Sequence, residues 1–205
     1  MTSLGDILQL SHGRAHEFCG PARHVLALWA LAGMGAQGAH LWIRPRWSAD
    51  RLNPQGLGDW LAADSLILLD AANDIEMLAC AEEALRSGAV ASATLDLRTP
   101  PALTPLRRLH LAAEAGLSRR RSQQRGAGLL ALVLTSGDGG TAGVESRWQL
   151  APCPAPACGA EKGALQLFWQ LRRLRARMTP PAAWQVACMG TGALRIRPMA
   201  MTAPA

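Results

Sequence analysis

Residues 13–31 lay out the frame of a phosphate-binding loop: a short strand, a turn at Gly20 and Pro21, and an apolar helix. Such a loop works when several backbone N–H groups curl round the phosphates, a lysine reaches the terminal ones and a hydroxyl holds magnesium, in the pattern G-x-x-x-x-G-K-[ST]. Those parts are missing here. Only Pro21, Ala22 and Arg23 separate Gly20 from the helical pattern starting at His24, and the sole lysine of the chain is Lys162. Gly20, Pro21 and Arg23 therefore mark a degenerate loop, and no nucleotide cofactor is expected.

Other chemistry is sparse. His12 and His16 have the i, i+4 spacing of zinc-binding helices, but they lie in a strand-like stretch without a Glu after the first His. Cys153 and Cys158 are separated by four residues, with no second pair and no nearby His, which reads as an ordinary Pro-rich loop. No G-x-S-x-G elbow is present, and no Ser-His-Asp or Cys-His signature can be assembled from spacing. No enzyme and no metal site emerge. The Gly-rich segment 136–143 leads into a strand rather than a helix, so it reads as a flexible turn and not as a phosphate cradle.

Arginine carries the remaining signal. Formal net charge is +6, and the basic residues concentrate at Arg107 and Arg108, at Arg119, Arg120, Arg121 and Arg125, and at Arg172, Arg173, Arg175 and Arg177. Runs of this kind neutralise phosphates or acidic partners, or are simply solvated, and both readings stay open. Most of the seven tryptophans read as core. Trp47 differs, because it lies in a polar loop with Arg44, Arg46 and Arg51, and Trp with Arg is the composition of interface anchors.

The elements that must position these residues alternate in period. Strands are expected at 15–19, 39–43, 66–69, 90–97 and 128–135, with helices at 25–34, 74–87 (stopped by Gly88) and 106–115, and loop or short helix over 45–59. The near-continuous apolar run at 128–135 points to a parallel sheet covered on both faces. Beyond it, 144–150, 165–173, 183–188 and 193–197 read as short antiparallel strands. Leu167, Phe168, Leu171 and Leu174 also satisfy helical spacing, so 165–177 is ambiguous and leans to strand. The expected fold class is α/β in one domain over 1–197: a mostly parallel part to about 136, an antiparallel extension from 137, and a disordered tail at 198–205.

Composition bounds the setting. A chain of 205 residues with 49% hydrophobic residues can bury a core. The longest apolar stretch, 25–36, falls short of the roughly 20 residues that span a bilayer, and the first residues lack a signal-peptide layout. Five scattered cysteines do not form a disulfide framework. A cytoplasmic protein without membrane contact is expected.

In order along the chain, several phrases resemble the RecA superfamily and, within it, the short ImuA family of bacterial inducible-mutagenesis cassettes. They are His-Glu-Phe-Cys-Gly-Pro-Ala-Arg at 16–23, Trp-Ile-Arg-Pro at 42–45, the helix, turn and strand of 83–96 ending in Asp96, Leu-Thr-Pro-Leu-Arg-Arg-Leu-His at 103–110, 139–150, and Pro-Pro-Ala-Ala-Trp at 180–184. The resemblance implies a RecA-like core extended by antiparallel strands. It also implies an accessory protein that works with an ImuB-like polymerase-related subunit and an error-prone DNA polymerase in damage-induced translesion synthesis. Asp96 stands where the superfamily places a magnesium-linked carboxylate, and Arg44, Pro45 and Arg46 stand where it places the carboxylate that activates water. A guanidinium cannot be that base. Asp96 then reads as a strand-terminal aspartate bonding the next turn. There is no room between 103–105 and the following helix for the superfamily's first DNA-binding loop, so the resemblance favours protein contacts by the arginine clusters, with DNA contact weak. Two other readings remain: an ATP-binding repair protein using Arg23 and Asp96, and a SulA-like regulator that binds the cell-division protein FtsZ.

Overall fold

Apolar strands separated by capped helices build one nine-stranded sheet, in the order β3-β2-β4-β5-β1-β6-β7-β8-β9. The computed structural model describes residues 3–35, 38–126, 128–155, 167–188 and 193–199. Strands β1 (Arg14–Cys19), β2 (His40–Pro45), β3 (Leu66–Ala71), β4 (Ser92–Asp96), β5 (Leu130–Leu134) and β6 (Ser146–Pro152) are joined by parallel pairings. Strands β7 (Leu167–Ala176), β8 (Ala182–Cys188) and β9 (Leu194–Met199) continue the sheet antiparallel.

Helices cover both faces of the parallel part. On one face lie α1 (Leu4–Leu8) and α2 (Arg23–Ala32), packed with Phe18, Trp42, Leu132, Trp148 and Leu150. On the other, α4 (Asp74–Ser87) and α5 (Leu103–Ser122) bury Ile43, Leu95, Val133, Met77, Leu85 and Leu109. A strand covered on both sides has no polar face, which is why β5 reads Leu-Ala-Leu-Val-Leu with every residue buried. A short helix, α3 (Pro54–Leu57), lies in the loop after β2.

Local chemistry sets the helix ends. Asn73 caps α4 by accepting from the Glu76 N–H, and Gly88 ends it in the left-handed conformation at φ 67°. That matches the expected helix over 74–87. Helix α5 is longer than the expected 106–115. Pro105 sits in its first turn, where a missing N–H costs no helical bond, and Arg119, Arg120 and Arg121 form its last turn, where cations complement the helix dipole. The apolar period weakens there because Arg119 and Arg121 face outward and a buried position is filled by Arg120 instead of an apolar residue. Helix α1 carried no strong apolar signal; a capping box between Ser3 and Asp6 holds it.

Two further differences concern the extension. The strand at 144–150, expected to be antiparallel, runs parallel to β1 as β6, and the chain first reverses at β7. Strand direction is set by the neighbour a loop delivers it to, which the strand's own pattern does not encode. The segment leaning to strand at 165–177 is β7 over its described residues, and β9 carries the strand to Met199, past the expected boundary at 197. The remaining tail, 200–205, lies outside the described residues.

Candidate functional site

The carboxyl ends of β1, β2 and β4 open on a crevice of about 310 Å³, lined by Arg23, Trp47, Asp50, Asp96, Arg98 and Ser136. Open α/β sheets bind ligands at this position. The degenerate loop forms its wall. Gly20 sits at φ 88°, and a Cβ there would lie 2.7 Å from the Leu150 carbonyl oxygen, so the turn is pressed against β6. The Ala22 N–H donates to that same oxygen at 3.1 Å, and the Arg23 N–H donates to Gly20 O at 3.3 Å. Donors that a phosphate cradle would turn outward are spent on the protein's own backbone.

Asp96 does end a central parallel strand, and its carboxylate is occupied. His24 Nε2 lies 2.8 Å from Oδ2 and Arg23 Nη2 lies 3.4 Å from Oδ1. The expected bond to the following turn is replaced by these two side chains of α2. His24 also stands against Trp42, with ring centroids 6.0 Å apart. Arg23 and Asp96 are thus brought together as an internal ion pair.

Across the crevice Trp47 is 53% exposed, with the Arg98 guanidinium 4.1 Å above its ring centroid. Arg44 does not point outward to a partner. It grips Asp70 at 2.6 and 3.3 Å and donates to Asp50 O, and this hydrogen-bonded guanidinium holds the Asp70 carboxyl below its usual range. Arg46 remains exposed.

Glu17, which the sequence reading passed over, is fully buried on β1. Its carboxylate accepts from Thr135 Oγ1 at 2.8 Å, Gly140 N at 3.0 Å, and Thr141 N and Oγ1, and it pairs with Arg147 on β6. Burial pushes this carboxyl up, but the Arg147 guanidinium, the two hydroxyls and the Thr141 N–H outweigh it and hold it below its ordinary range. The Gly-rich loop expected to be a flexible turn is therefore tied down at Gly140 and Thr141. His110 of α5 adds another tie, accepting from the Ala15 N–H and donating to Gly143 O, each at 3.1 Å. No spacing rule links residue 17 to 141 or 147, so only the absence of any exposed role for a Glu inside an apolar strand could have flagged it.

His16 is likewise structural. Its Nδ1 lies 2.7 Å from Ser146 Oγ and its Nε2 3.0 Å from Ser11 O, and burial pushes it down to about 4. Among the described residues, no group of three or more His, Cys, Asp or Glu is placed to hold a metal. Cys158 lies outside them. No helix among the described residues is long and apolar enough to cross a membrane.

The arginine clusters do not form single surfaces. Arg107, Arg121 and Arg125 are exposed; Arg108 pairs with Glu82 at 2.8 Å, and Arg119 donates to Arg86 O. Arg120 is a correction: it is 1% exposed and donates to Gly88 O and Arg125 O, because the end of α5 packs on the cap of α4. It is a structural arginine, not a contact residue. On β7 a bulge opposite Arg147 and Trp148 splits the cluster. Arg172 and Arg175 pair with Gln149 and Arg147, whereas Arg173 goes to the opposite face, donates to Pro180 O and stands 5.5 and 5.3 Å from the rings of Trp148 and Trp184. Arg177, past the strand, is exposed.

No family model matches the chain. Protein ImuA of Caulobacter vibrioides, in two strains, is 32% identical over 161 residues, which is 76% of this chain and 62% of that protein. The chain thus spans about 62% of the length of the curated relatives it matches. The RadB recombinase superposes with a TM-score of 0.58 at 14% identity, covering 97% of each chain. SulA from Pseudomonas aeruginosa, at 22% identity over 60% of this chain and a TM-score of 0.44, is too distant in shape to carry an argument. A mostly parallel sheet flanked by helices and extended by antiparallel strands, superposable end to end on a recombinase, is a RecA-like fold, and in sequence the chain is similar to Protein ImuA over 161 residues.

Proposed function

We propose that this protein is a non-catalytic RecA-like adaptor in damage-induced mutagenic DNA synthesis, binding an ImuB-like, polymerase-related subunit and, through it, an error-prone polymerase. One observation carries the loss of catalysis: Asp96 and the loop backbone are occupied by the protein's own Arg23, His24 and Leu150. Magnesium and a triphosphate would have to displace an internal ion pair and break backbone hydrogen bonds, with no lysine or loop hydroxyl in exchange. The partner surface in this reading centres on Trp47, with Arg98 stacked on it and Arg46 beside it. An exposed aromatic with a guanidinium stacked on it has the composition of an interface anchor.

Calorimetric titration with magnesium and ATP is expected to give no saturable heat, and a micromolar, magnesium-dependent isotherm would instead support the ATP-binding reading. For the partner, Trp47→Ala is expected to weaken binding of the ImuB-like subunit at least tenfold in a pull-down or interferometry assay. Unchanged affinity would remove the crevice rim from the interface. The SulA-like reading predicts binding to FtsZ instead.

A further inference from the structure

The antiparallel extension has two unlike faces. Trp148, Leu150, Leu171, Trp169, Trp184 and Val186 turn to the face shared with α2 and form core. The opposite face is on the side of α4 and α5, but those helices pack on β1 to β5. Across it the register aligns Gln149 with Arg172, Ala183 and Met199, then Gln170 with Gln185 and Arg197, then Phe168 with Ala187 and Arg195. No residue of β6 to β9 is acidic, and six are arginine.

The middle strand makes this face a trough. β8 contributes only the buried Ala183 and the half-buried Gln185 and Ala187, short or neutral side chains, while β7 places Gln170 and Arg172, the latter donating to Gln149 Oε1 at 3.3 Å, on one side and β9 places the exposed Arg197 and Arg195 on the other. Strands two apart in a sheet stand roughly 9–10 Å from each other, so the two basic rims are about that far apart. Arg195, Arg197 and Arg175 are exposed, and Phe168 and Arg172 are half-buried. Asp138 is drawn in at the β6 border, where it accepts from Gln149 Nε2 at 2.7 Å, and Glu17 is consumed by Arg147.

We propose that this trough binds the sugar–phosphate backbone of single-stranded DNA without reading its sequence. Cationic rims over a neutral floor track a polyanion, Gln170 and Gln185 offer amide donors along it, and Phe168 at one end supplies a ring on which a base can stack. A protein ligand fits worse, because the centre of the face is Ala183 and Gln185 with no aromatic or aliphatic anchor, and the tryptophans of these strands are turned to the core. A duplex fits worse too, since an open sheet face presents nothing to enter a groove. The surface is distinct from the Trp47 crevice, so this proposal and the adaptor reading can fail separately.

Fluorescence anisotropy with a labelled oligothymidylate at about 50 and about 200 mM salt tests it. The parent is expected to bind with steep salt dependence. The double variant Arg195→Ala, Arg197→Ala is expected to bind at least tenfold more weakly at the lower salt, with the log–log salt slope reduced by roughly 1.4, since each neutralised phosphate of a single strand contributes roughly 0.7. Gln185→Glu, nearly isosteric, is expected to weaken binding in the same direction by placing a carboxylate on the floor. Arg121→Ala, outside the trough, serves as control and should bind like the parent. No binding by the parent at the lower salt, parental binding by both trough variants, equal affinity for duplex, or equally effective competition by polyglutamate would each overturn the proposal; the last would assign the face to an acidic protein segment.

Discussion

The parallel and antiparallel halves of the sheet solve burial in opposite ways. β5 is apolar at every position and buried at every position, whereas β7 and β8 alternate between the tryptophan face and the arginine face. In the first half helices on both sides leave the sheet no surface of its own. In the second, no helix among the described residues packs on one face, whose side chains are mostly arginine, glutamine and alanine. The contrast sets the doubly covered core in β1 to β5 apart from the two-faced strands β7 and β8, with Glu17 near the seam, where β1 meets both β5 and β6.

Breaking the seam should have the largest effect. Glu17→Ala strips partners from Arg147, Thr135 and Thr141 at once, and loss of one member of a buried ion pair costs about 3–5 kcal/mol. Urea unfolding should show this as a lower midpoint, with faster proteolysis in 136–143; parental stability would mean the loop is held by other contacts.

Gly116→Ala probes the helical layer. A Cβ at this position would fall 1.8 Å from the Leu85 carbonyl oxygen, backbone that cannot turn aside, so α4 and α5 must separate. The expected loss is roughly 3 kcal/mol, the upper end of overpacking costs. A thermal shift of only a degree would show that the two helices slide apart freely.

His16 gives the comparison a pH axis. Its folded value near 4 lies below the ordinary 6.5, so the unfolded chain takes up the proton first. Its contribution is whole above 6.5 and is lost as pH falls toward 4, on the order of 3 kcal/mol over that window. Glu17 is also lowered, so its contribution stays whole until pH falls below its ordinary 4.5. Denaturation midpoints between pH 7 and 4.5 should therefore decline in the parent and decline less steeply in His16→Gln, where His40 and His110, which burial also pushes down, still contribute. A parallel decline in both would move the effect to another group.

The smallest effect belongs to the open face. Arg195→Ala with Arg197→Ala should change stability by less than about 0.5 kcal/mol, as exposed substitutions do, even where it alters DNA binding. A large loss of stability would mean these arginines cover apolar surface with their stems.

The parallel half was legible in outline from local sequence. Period, caps and turn residues carry that information locally: 74–87 with its Gly88 stop, the buried run around 130–134, and Asp96 at a strand end are all properties of neighbours a few residues apart. The missing lysine and shortened turn were equally local. The rest was set by folding, because it depends on pairs far apart in the chain. His24 and Arg23 reach Asp96 over more than seventy residues, Glu17 meets Thr141 over more than a hundred, and Arg120 is buried because α5 happens to end on the cap of α4. The direction of β6 and the bulge that parts Arg173 from Arg172 and Arg175 follow from which strand stands beside them. A charge run in sequence becomes a surface only when the sheet register decides which of its members share a face, since side chains alternate along a strand and one extra residue reverses them.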